Sequence, residues 1–521
     1  MKYLVIGGNA SGASFATRMR RVDDHAEIVV INQGPYISYA SCALPYYIGN
    51  VVQNRDQLIE RTPEGLAKKS NIDVRVNQTA TRVDPDTKTV EIYDQKLGTS
   101  YEEDYDVLVL ATGTSGIPLS IYGLDTAPNA FHLSNVVDAD NIKKYIEQEN
   151  VHTATIIGAG IKGLEIAENL VSLGIKVQMV ELHPDVAVPY DPEITHFIRK
   201  ELQDHEVDLY LNNSVTNVSK TGHEITLADD QVLKQDMIII ASGEKPNTDL
   251  VAATEIELTA SGLIKVDDRL QTSVKDIYAT GDIIQTTNFV SSLPVQSALS
   301  AAANRQGHLL ADMLGGAKVT YGGYLATGIS KIFDSAISFA GYTRQTLAHD
   351  GLTDYQWIYI TPFNHPSYYP NVSRINFVLI FDSKTGKILG GEATGVEGAD
   401  KLIGELAIAL QAQMTIYDLA ATTTPYSPPF STARSPLNIA AYVAISAFEN
   451  GFSTIRPEEI TTKNNFYLDV RELGSKETGT IPATRHIPLS ELKFRISEIP
   501  TDKNVYLTFH PGTGNYQAAR I

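Results

Sequence analysis

One sulfur nucleophile serves a chain of 521 residues: Cys42, in the run Ser38-Tyr-Ala-Ser-Cys-Ala-Leu-Pro-Tyr-Tyr-Ile-Gly49. Thiol chemistry needs a thiolate, and a cysteine at the start of a helix gains from the positive end of the helix dipole. Pro45 suits the first turn of such a helix, where no N–H is required. With no second cysteine in the chain, any disulfide that Cys42 forms takes its other sulfur from outside the subunit. The alternative is a small buried apolar residue, which is what most lone cysteines are. The segments around it favour chemistry.

Just before Cys42, Tyr3-Leu-Val-Ile6 reads as a short strand and Gly7-Gly-Asn-Ala-Ser-Gly12 as a tight turn. A helix over Ala13 to Arg21 and a return strand over Ile28 to Ile31 complete a βαβ unit. Glycines let backbone approach a pyrophosphate, and the helix N-terminus offers it free N–H groups. Two positions depart from the usual fingerprint: Asn9 replaces the second glycine, and Asn32 stands where an acid normally accepts ribose hydroxyls. A second unit carries the full pattern, with strand Ala154 to Ile157, Gly158-Ala-Gly160-Ile-Lys-Gly163, a helix through about Leu173, and strand Val177 to Val180 ending on Glu181. A carboxylate there binds the adenosine ribose 2′-OH and repels a 2′-phosphate, so Glu181 predicts NADH over NADPH. Three more apolar strands run into glycine: Asp106 to Gly113 through Ala111-Thr112, Met237 to Gly243, and Ile277-Tyr-Ala-Thr-Gly281-Asp282. Asp282 follows a buried strand, so its carboxylate needs a partner, and a flavin ribityl hydroxyl would supply one.

The hydrophobic fraction is 43% and the charged fraction 20%, the balance of an ordinary globular protein with room for about three or four domains. A net charge of −19 argues against general affinity for nucleic acid or anionic membrane, both of which need dense Lys/Arg surfaces. The twelve histidines show no metal-ligand spacing such as His-Glu-x-x-His, and one cysteine excludes multi-cysteine metal sites, so no metal is expected. The apolar opening is too short for a signal sequence, and no run approaches the roughly 18 apolar residues of a membrane helix. A cytoplasmic, reducing location is the expectation.

In this order the parts resemble the flavin-dependent pyridine nucleotide–disulfide oxidoreductases, over about residues 1 to 447. The single-cysteine branch of that family holds coenzyme A-disulfide reductases, NADH oxidases and NADH peroxidases. The resemblance implies an α/β fold with two Rossmann-like nucleotide-binding domains: a discontinuous FAD domain at 1–115 and 245–325, and an NAD domain at 116–244. An α+β dimerisation domain follows at 326–450. The implied cofactor residues are Gly7, Gly8, Asn9, Ala10, Gly12, Asn32, Ala111, Thr112, Gly113, Gly243, Gly281 and Asp282, with Gly158, Gly160, Gly163 and Glu181 for NADH.

Oxidases and peroxidases of the branch carry a histidine where this chain has Ala10. Coenzyme A-disulfide reductases have a small or apolar residue there, the Ser-Phe/Tyr-Ala-x-Cys-x-Leu-Pro-Tyr segment, and two tyrosines matched here by Tyr368 and Tyr426. By resemblance, both tyrosines reach the partner subunit's cysteine in a homodimer and serve the leaving thiolate. Coenzyme A contacts carried over by position are Ser14, Arg18, Arg21, Ser38, Ser41, Asn304 and Arg434; a lysine used by some members falls at Ser70, beside Lys69. The implied reaction sends hydride from NADH to FAD and on to a mixed disulfide of Cys42 with coenzyme A. Its acceptor is coenzyme A disulfide, coenzyme A persulfide or polysulfide. Two alternatives stand beside it: an NADH oxidase or peroxidase cycling through a Cys42 sulfenic acid, and a flavoprotein redox sensor. The tail, 453–521, resembles a rhodanese-like α/β domain through Tyr467-Leu-Asp-Val-Arg-Glu472 and Arg485-His-Ile-Pro-Leu489. An active rhodanese has a cysteine after the strand that ends at Thr508; here Phe509 stands there, and the chain stops soon afterwards, so a dead and incomplete module is expected.

Overall fold

Strands that are apolar at every position need cover on both faces, which parallel sheets flanked by helices provide. The computed structural model describes residues 1–451, 453–456, 459–460, 465–472, 484–508 and 513–521. They form two units, Met1–Val188 with Ile198–Ala326, and Pro189–Phe197 with Thr327–Ile521.

The first unit holds two five-stranded parallel sheets. In one the order is Ile277–Ala279, Val107–Leu110, Lys2–Ile6, Glu27–Asn32, Asp73–Val76. In the other it is Asp208–Tyr210, Lys176–Val180, Thr153–Ile157, Met237–Ile240, Ala130–His132. Between the sheets the chain crosses twice, and the crossings pair antiparallel as Thr114–Gly116 with Glu244–Pro246. Asn247 locks them: its N–H donates to Gly113 O at 3.0 Å and its amide to Thr112 O at 3.1 Å.

The first helix runs from Ala10 to Val22, beginning three residues before the expected Ala13. The turn is tighter than the sequence suggests because Gly12 lies inside the helix, stacked on the carbonyl of Gly7; a Cβ on Gly12 would sit 1.8 Å from that oxygen. Against this helix packs Ser300–Leu314. Their backbones approach so closely that a Cβ on Gly307 would lie 2.1 Å from Ser11 O and 3.0 Å from Phe15 N.

In the second unit five antiparallel strands run in the order Thr327–Ile332, Ser335–Gly341, Ile388–Gly395, Asn376–Asp382, Tyr355–Ile360. Helices Ala399–Gln411, Ile416–Ala421 and Pro436–Asn450 accompany them. The stretch Pro189–Phe197 joins this unit through Asp191, whose carboxylate accepts from Arg344 Nε at 2.7 Å, and through Thr343, which donates to Pro189 O at 2.9 Å. The tail contributes a parallel sheet of Arg485–His486, Asn465–Asp469 and Asn504–Thr508. Leu468, Val470, Ile487, Leu492 and Ala518 form its small core. Phe509, the position that bears on the tail's chemistry, lies outside the described residues.

The helix crossing yields a first prediction. Gly307→Ala forces a methyl into backbone, an overpacking error of about 1–3 kcal/mol. Thermal unfolding, followed by circular dichroism, should occur at a lower temperature than in the parent; an unchanged midpoint would show that the crossing adjusts freely.

Candidate functional site

The two glycine turns correspond position by position. Gly7 and Gly158 both have φ near +105°, at 105° and 106°, where a side chain is strained. Gly7 N–H donates to Ile31 O at 2.8 Å, and Gly158 N–H to Val180 O at 2.9 Å. A Cβ on Gly163 would lie 2.2 Å from Gly158 O, as Gly12 does to Gly7. Only the residues that depart from the fingerprint differ in what they do. Gly160 faces open space, so nothing within the protein demands glycine there; close approach of a ligand backbone does. Asn9, its counterpart, accepts from Tyr39 N–H at 3.2 Å, while Ser38 N–H donates to Gly8 O at 2.9 Å. The asparagine thus ties the turn to the cysteine segment. Asn32 Oδ1 accepts from Gly8 N–H at 3.0 Å, and its amide donates to Gly34 O and Tyr36 O. Glu181 does the same for its own turn, accepting from Ala159 N–H at 2.7 Å and His183 N–H at 2.9 Å. Its carboxylate keeps further lone pairs for ribose hydroxyls.

Cys42 is exposed, in a 3₁₀ turn of Ser41–Ala43 that leads into a five-residue helix, Leu44–Ile48, with Pro45 in its first turn. Ser38 has a left-handed backbone, φ 44°. Tyr46, half-buried on that helix, has its phenol pushed up to about 12 by burial, with Glu165, Glu168 and Cys42 adding to the effect, so it stays protonated. The Cys42 sulfur lies 3.6 Å from the hydroxyl of Ser300. From there a run of bonds leads back to the first helix: Asn304 Nδ2 donates to Ser300 O at 3.0 Å, and Ser14 Oγ donates to Asn304 O at 2.9 Å. Ser14, Asn304 and the cysteine are therefore brought together.

The arginines on that helix have separate fates. Arg20 is spent on backbone, donating to the carbonyls of Asp23, Asp24, Ala26, Ser70 and Asn71. Arg18 pairs with Asp312 at 2.6 Å, so its charge is already matched. Arg21 is exposed, on the face that carries Ser14 and Arg18.

Ala111, Thr112 and Gly113 border the same turn: a Cβ on Gly7 would sit 2.1 Å from Ala111 O, and Thr112 donates to Asn247 O at 2.6 Å. Gly281 N–H donates to the buried Gln306 Oε1 at 2.7 Å, and Gln306 in turn donates to Ser297 Oγ and Tyr321 OH. This network fixes Asp282, whose Oδ1 is buried without a hydrogen-bond partner. The residues present fit a flavin nucleotide: a tight glycine turn opening the N-terminus of a helix, and a buried carboxylate oxygen without a protein donor. Around Gly160, a cavity of about 190 Å³ is lined by His132, Lys162, Ser242, Gly243 and Glu244 among others. Lys162 forms an ion pair with Glu244. Burial works to raise the Glu244 carboxyl, but bonds from Lys162 and Thr114 outweigh it and hold it low.

In the second unit Tyr368 and Tyr426, 58 residues apart, stand with hydroxyls 3.2 Å from each other. Tyr368 is 73% exposed and Tyr426 47%, high values for tyrosines. The bond to Tyr426 raises the Tyr368 phenol, so Tyr368 carries its proton at neutral pH. Arg434 is exposed just before helix Pro436–Asn450. Ser300, Gln306 and Glu244 are the site residues that sequence reasoning missed. Ser300 and Gln306 lie in a helix whose pattern reads only as amphipathic, and Glu244 is one residue past a glycine that was read.

With this geometry the comparisons agree. Residues 1–307 match the profile of the pyridine nucleotide-disulphide oxidoreductases, and 329–436 that family's dimerisation domain. The chain belongs to this family and is an FAD-dependent oxidoreductase that uses a pyridine nucleotide. The coenzyme A disulfide reductase of Staphylococcus aureus strain JH9 is 31% identical over 444 residues, 85% of this chain and 99% of that protein. Reduced CoADR-RHD of Bacillus anthracis is similar over 100% of this chain and 94% of that one, with a TM-score of 0.97 and 36% identity. A NAD-dependent persulfide reductase from A. fulgidus has a TM-score of 0.92 at 32% identity, covering 100% of this chain and 96% of its own.

Asp282 sets a pH prediction. Burial, and secondarily Glu244, push its carboxyl up from 3.8 to about 6. A raised acid stabilises the fold while protonated: the flavin-free protein has that contribution in full below about 4 and loses it as pH rises through about 6, a cost on the order of 3 kcal/mol. Stripped of flavin, Asp282→Asn should melt above the parent at pH 8 and level with it near pH 4, while holding FAD more weakly. Calorimetry and FAD titration read both; an asparagine variant that binds FAD as tightly as the parent removes the ribityl role.

Proposed function

We propose that this chain is an NADH-dependent reductase of coenzyme A disulfide or persulfide, working through Cys42 as a homodimer. The observation that carries this is the placement of the chain's only cysteine: exposed, and hydrogen-bonded through its own segment to the first nucleotide turn by Asn9 and Gly8. Ala10 at the start of the first helix supports a reductase over an oxidase, and the Staphylococcus and A. fulgidus relatives carry the matching names.

Cys42 attacks the substrate disulfide; a new S–S bond joins it to one coenzyme A sulfur, and the other leaves as a thiolate that takes a proton. Two electrons from NADH then break the mixed disulfide, giving Cys42 thiolate, free coenzyme A thiol and NAD⁺, so charge balances without a further reductant. Bound FAD supplies the relay that accepts hydride and delivers an electron pair to sulfur. Gly7, Gly8, Gly12 and Asp282 would hold it, and Gly158, Gly160, Gly163 and Glu181 would hold NADH. Ser14, Arg21, Ser38, Ser41 and Asn304 would meet the anionic substrate. Arg18, already paired, contributes through Asp312 and the helix crossing rather than as a free cation. Tyr368 and Tyr426, exposed and hydrogen-bonded to each other, would hand a proton to the thiolate leaving the partner subunit's Cys42, with Arg434 beside the same substrate. Such thiol chemistry suits a reducing cytoplasm, and no helix among the described residues is long and apolar enough to cross a membrane.

Cys42→Ser should stay yellow with FAD and lose NADH-driven coenzyme A disulfide reduction by several orders of magnitude; undiminished turnover would sink the mechanism. Because Glu181 meets the ribose 2′ position, kcat/KM should favour NADH over NADPH, and Glu181→Ala should narrow the ratio. Equal use of both by the parent would give Lys162 the upper hand in the pocket.

A further inference from the structure

Ser300 is the one side chain among the described residues that hydrogen-bonds the Cys42 sulfur, at 3.6 Å, and it comes from 258 positions away. In the thiol state either group can donate. Once Cys42 is a thiolate only the serine can, and a bond to an ionised acceptor is about twice as strong as a neutral one. A serine inside a helix tends to turn its hydroxyl back to the carbonyl four residues earlier. Ser300 is the first residue of its 15-residue helix, with Leu299 as N-cap, so no helical carbonyl stands behind it. Its carbonyl is held by the Asn304 amide, and the Asn304 carbonyl in turn by Ser14. The hydroxyl is therefore fixed near the sulfur and free to serve it.

We propose that Ser300 is a catalytic residue of the thiol half-reaction, donating its hydroxyl hydrogen to Cys42 as the mixed disulfide breaks. In that step two electrons enter, the S–S bond is cleaved, Cys42 keeps a negative charge that Ser300 stabilises, and the substrate sulfur takes a proton and leaves as a thiol. This rests on the reading of Cys42 as the redox sulfur, with NADH as the source of electrons.

Because Cys42 is the only cysteine, iodoacetamide reads it alone. Reduced holoenzyme freed of excess NADH is alkylated at neutral pH, comparing parent, Ser300→Ala, Ser300→Thr and Ser300→Val. Alanine and valine should slow alkylation about threefold, since the thiolate lost is partly offset by the higher reactivity of what remains; threonine should restore the rate. Turnover with coenzyme A disulfide should fall in kcat with KM little changed. Threonine and valine differ by a hydroxyl for a methyl, so this pair decides the question even where the alanine variant loses FAD. Equal alkylation rates in threonine and valine variants overturn the proposal. Failure of the functional reading appears elsewhere, as disulfide turnover that survives Cys42→Ser, and leaves the alkylation rates readable.

Discussion

The crossing of helices Ala10–Val22 and Ser300–Leu314 is the contact on which the site depends. Its closeness requires Gly307, whose missing side chain admits the carbonyl of Ser11. From that approach follow the Ser14–Asn304 bond, the Arg18–Asp312 ion pair and the position of Gln306 under Gly281. The first helix begins at the nucleotide turn and the second begins beside Cys42. Ser300, 258 positions from Cys42 in sequence, becomes its neighbour because two helices lack the bulk to stand apart.

Charge in this site is either matched or deliberately left open. Arg20 is consumed by five carbonyls and Arg18 by a carboxylate, so two of three cations on one helix serve the fold. Glu181 and Asn32 each close their own turn from the end of the neighbouring strand, the acid by taking two N–H groups and the amide by taking one and giving two. An amide suits a turn that must also hold Gly34 and Tyr36, because a carboxylate has no hydrogens to donate. The departure from the usual acid is therefore a structural demand of the cysteine side of the turn.

Much of this was legible in sequence. Uninterrupted apolar runs located the four strands of the two glycine-turn units to within a residue, and glycine spacing located both turns, because both signals are local. Tyr368 and Tyr426 were legible only through resemblance, and their 3.2 Å approach gives that pairing a physical content. What local pattern could not carry was contact at long range. Ser300 in Ala-Leu-Ser-Ala-Ala reads as a helix start and nothing more, since its meaning lies in a sulfur 258 residues away. Asn9 and Asn32 read in sequence as missing fingerprint residues; the bond from Tyr39 to Asn9 and those of Asn32 with Gly8, Gly34 and Tyr36 have no sequence signature. The stretch Pro189–Phe197 sits among nucleotide-binding segments in sequence, yet Arg344 and Thr343 claim it for the second unit through buried ionic and hydroxyl bonds.

Two buried carboxylates differ in the charge that the protein sets beside them. Glu392 is wholly buried, and burial, with Asp191 nearby, raises its carboxyl well above the ordinary carboxylate range, the Asp191 N–H and Arg344 only partly opposing this. It accepts the N–H of Asp191 at 3.0 Å, within a strand that continues the antiparallel sheet. Its charged surroundings belong to the protein: Arg344, stacked 3.7 Å over Trp357, also binds Asp191 and Glu193, although Glu392 Oε1 and Arg344 Nη1 are themselves buried without a hydrogen-bond partner. Asp282 also is raised by burial, but it follows Gly281, whose φ of 84° turns the chain out of the strand, and it faces no arginine partner among the described residues. An unpaired carboxylate oxygen in an otherwise bonded core costs the fold free energy that only a donor from outside can return. Burial raises both carboxyls and leaves each with an unpartnered oxygen, and the difference lies in the neighbouring charge: Arg344 stands against Glu392, whereas only the like charge of Glu244 acts on Asp282, which is why the proposed reading gives Asp282 a ligand hydroxyl.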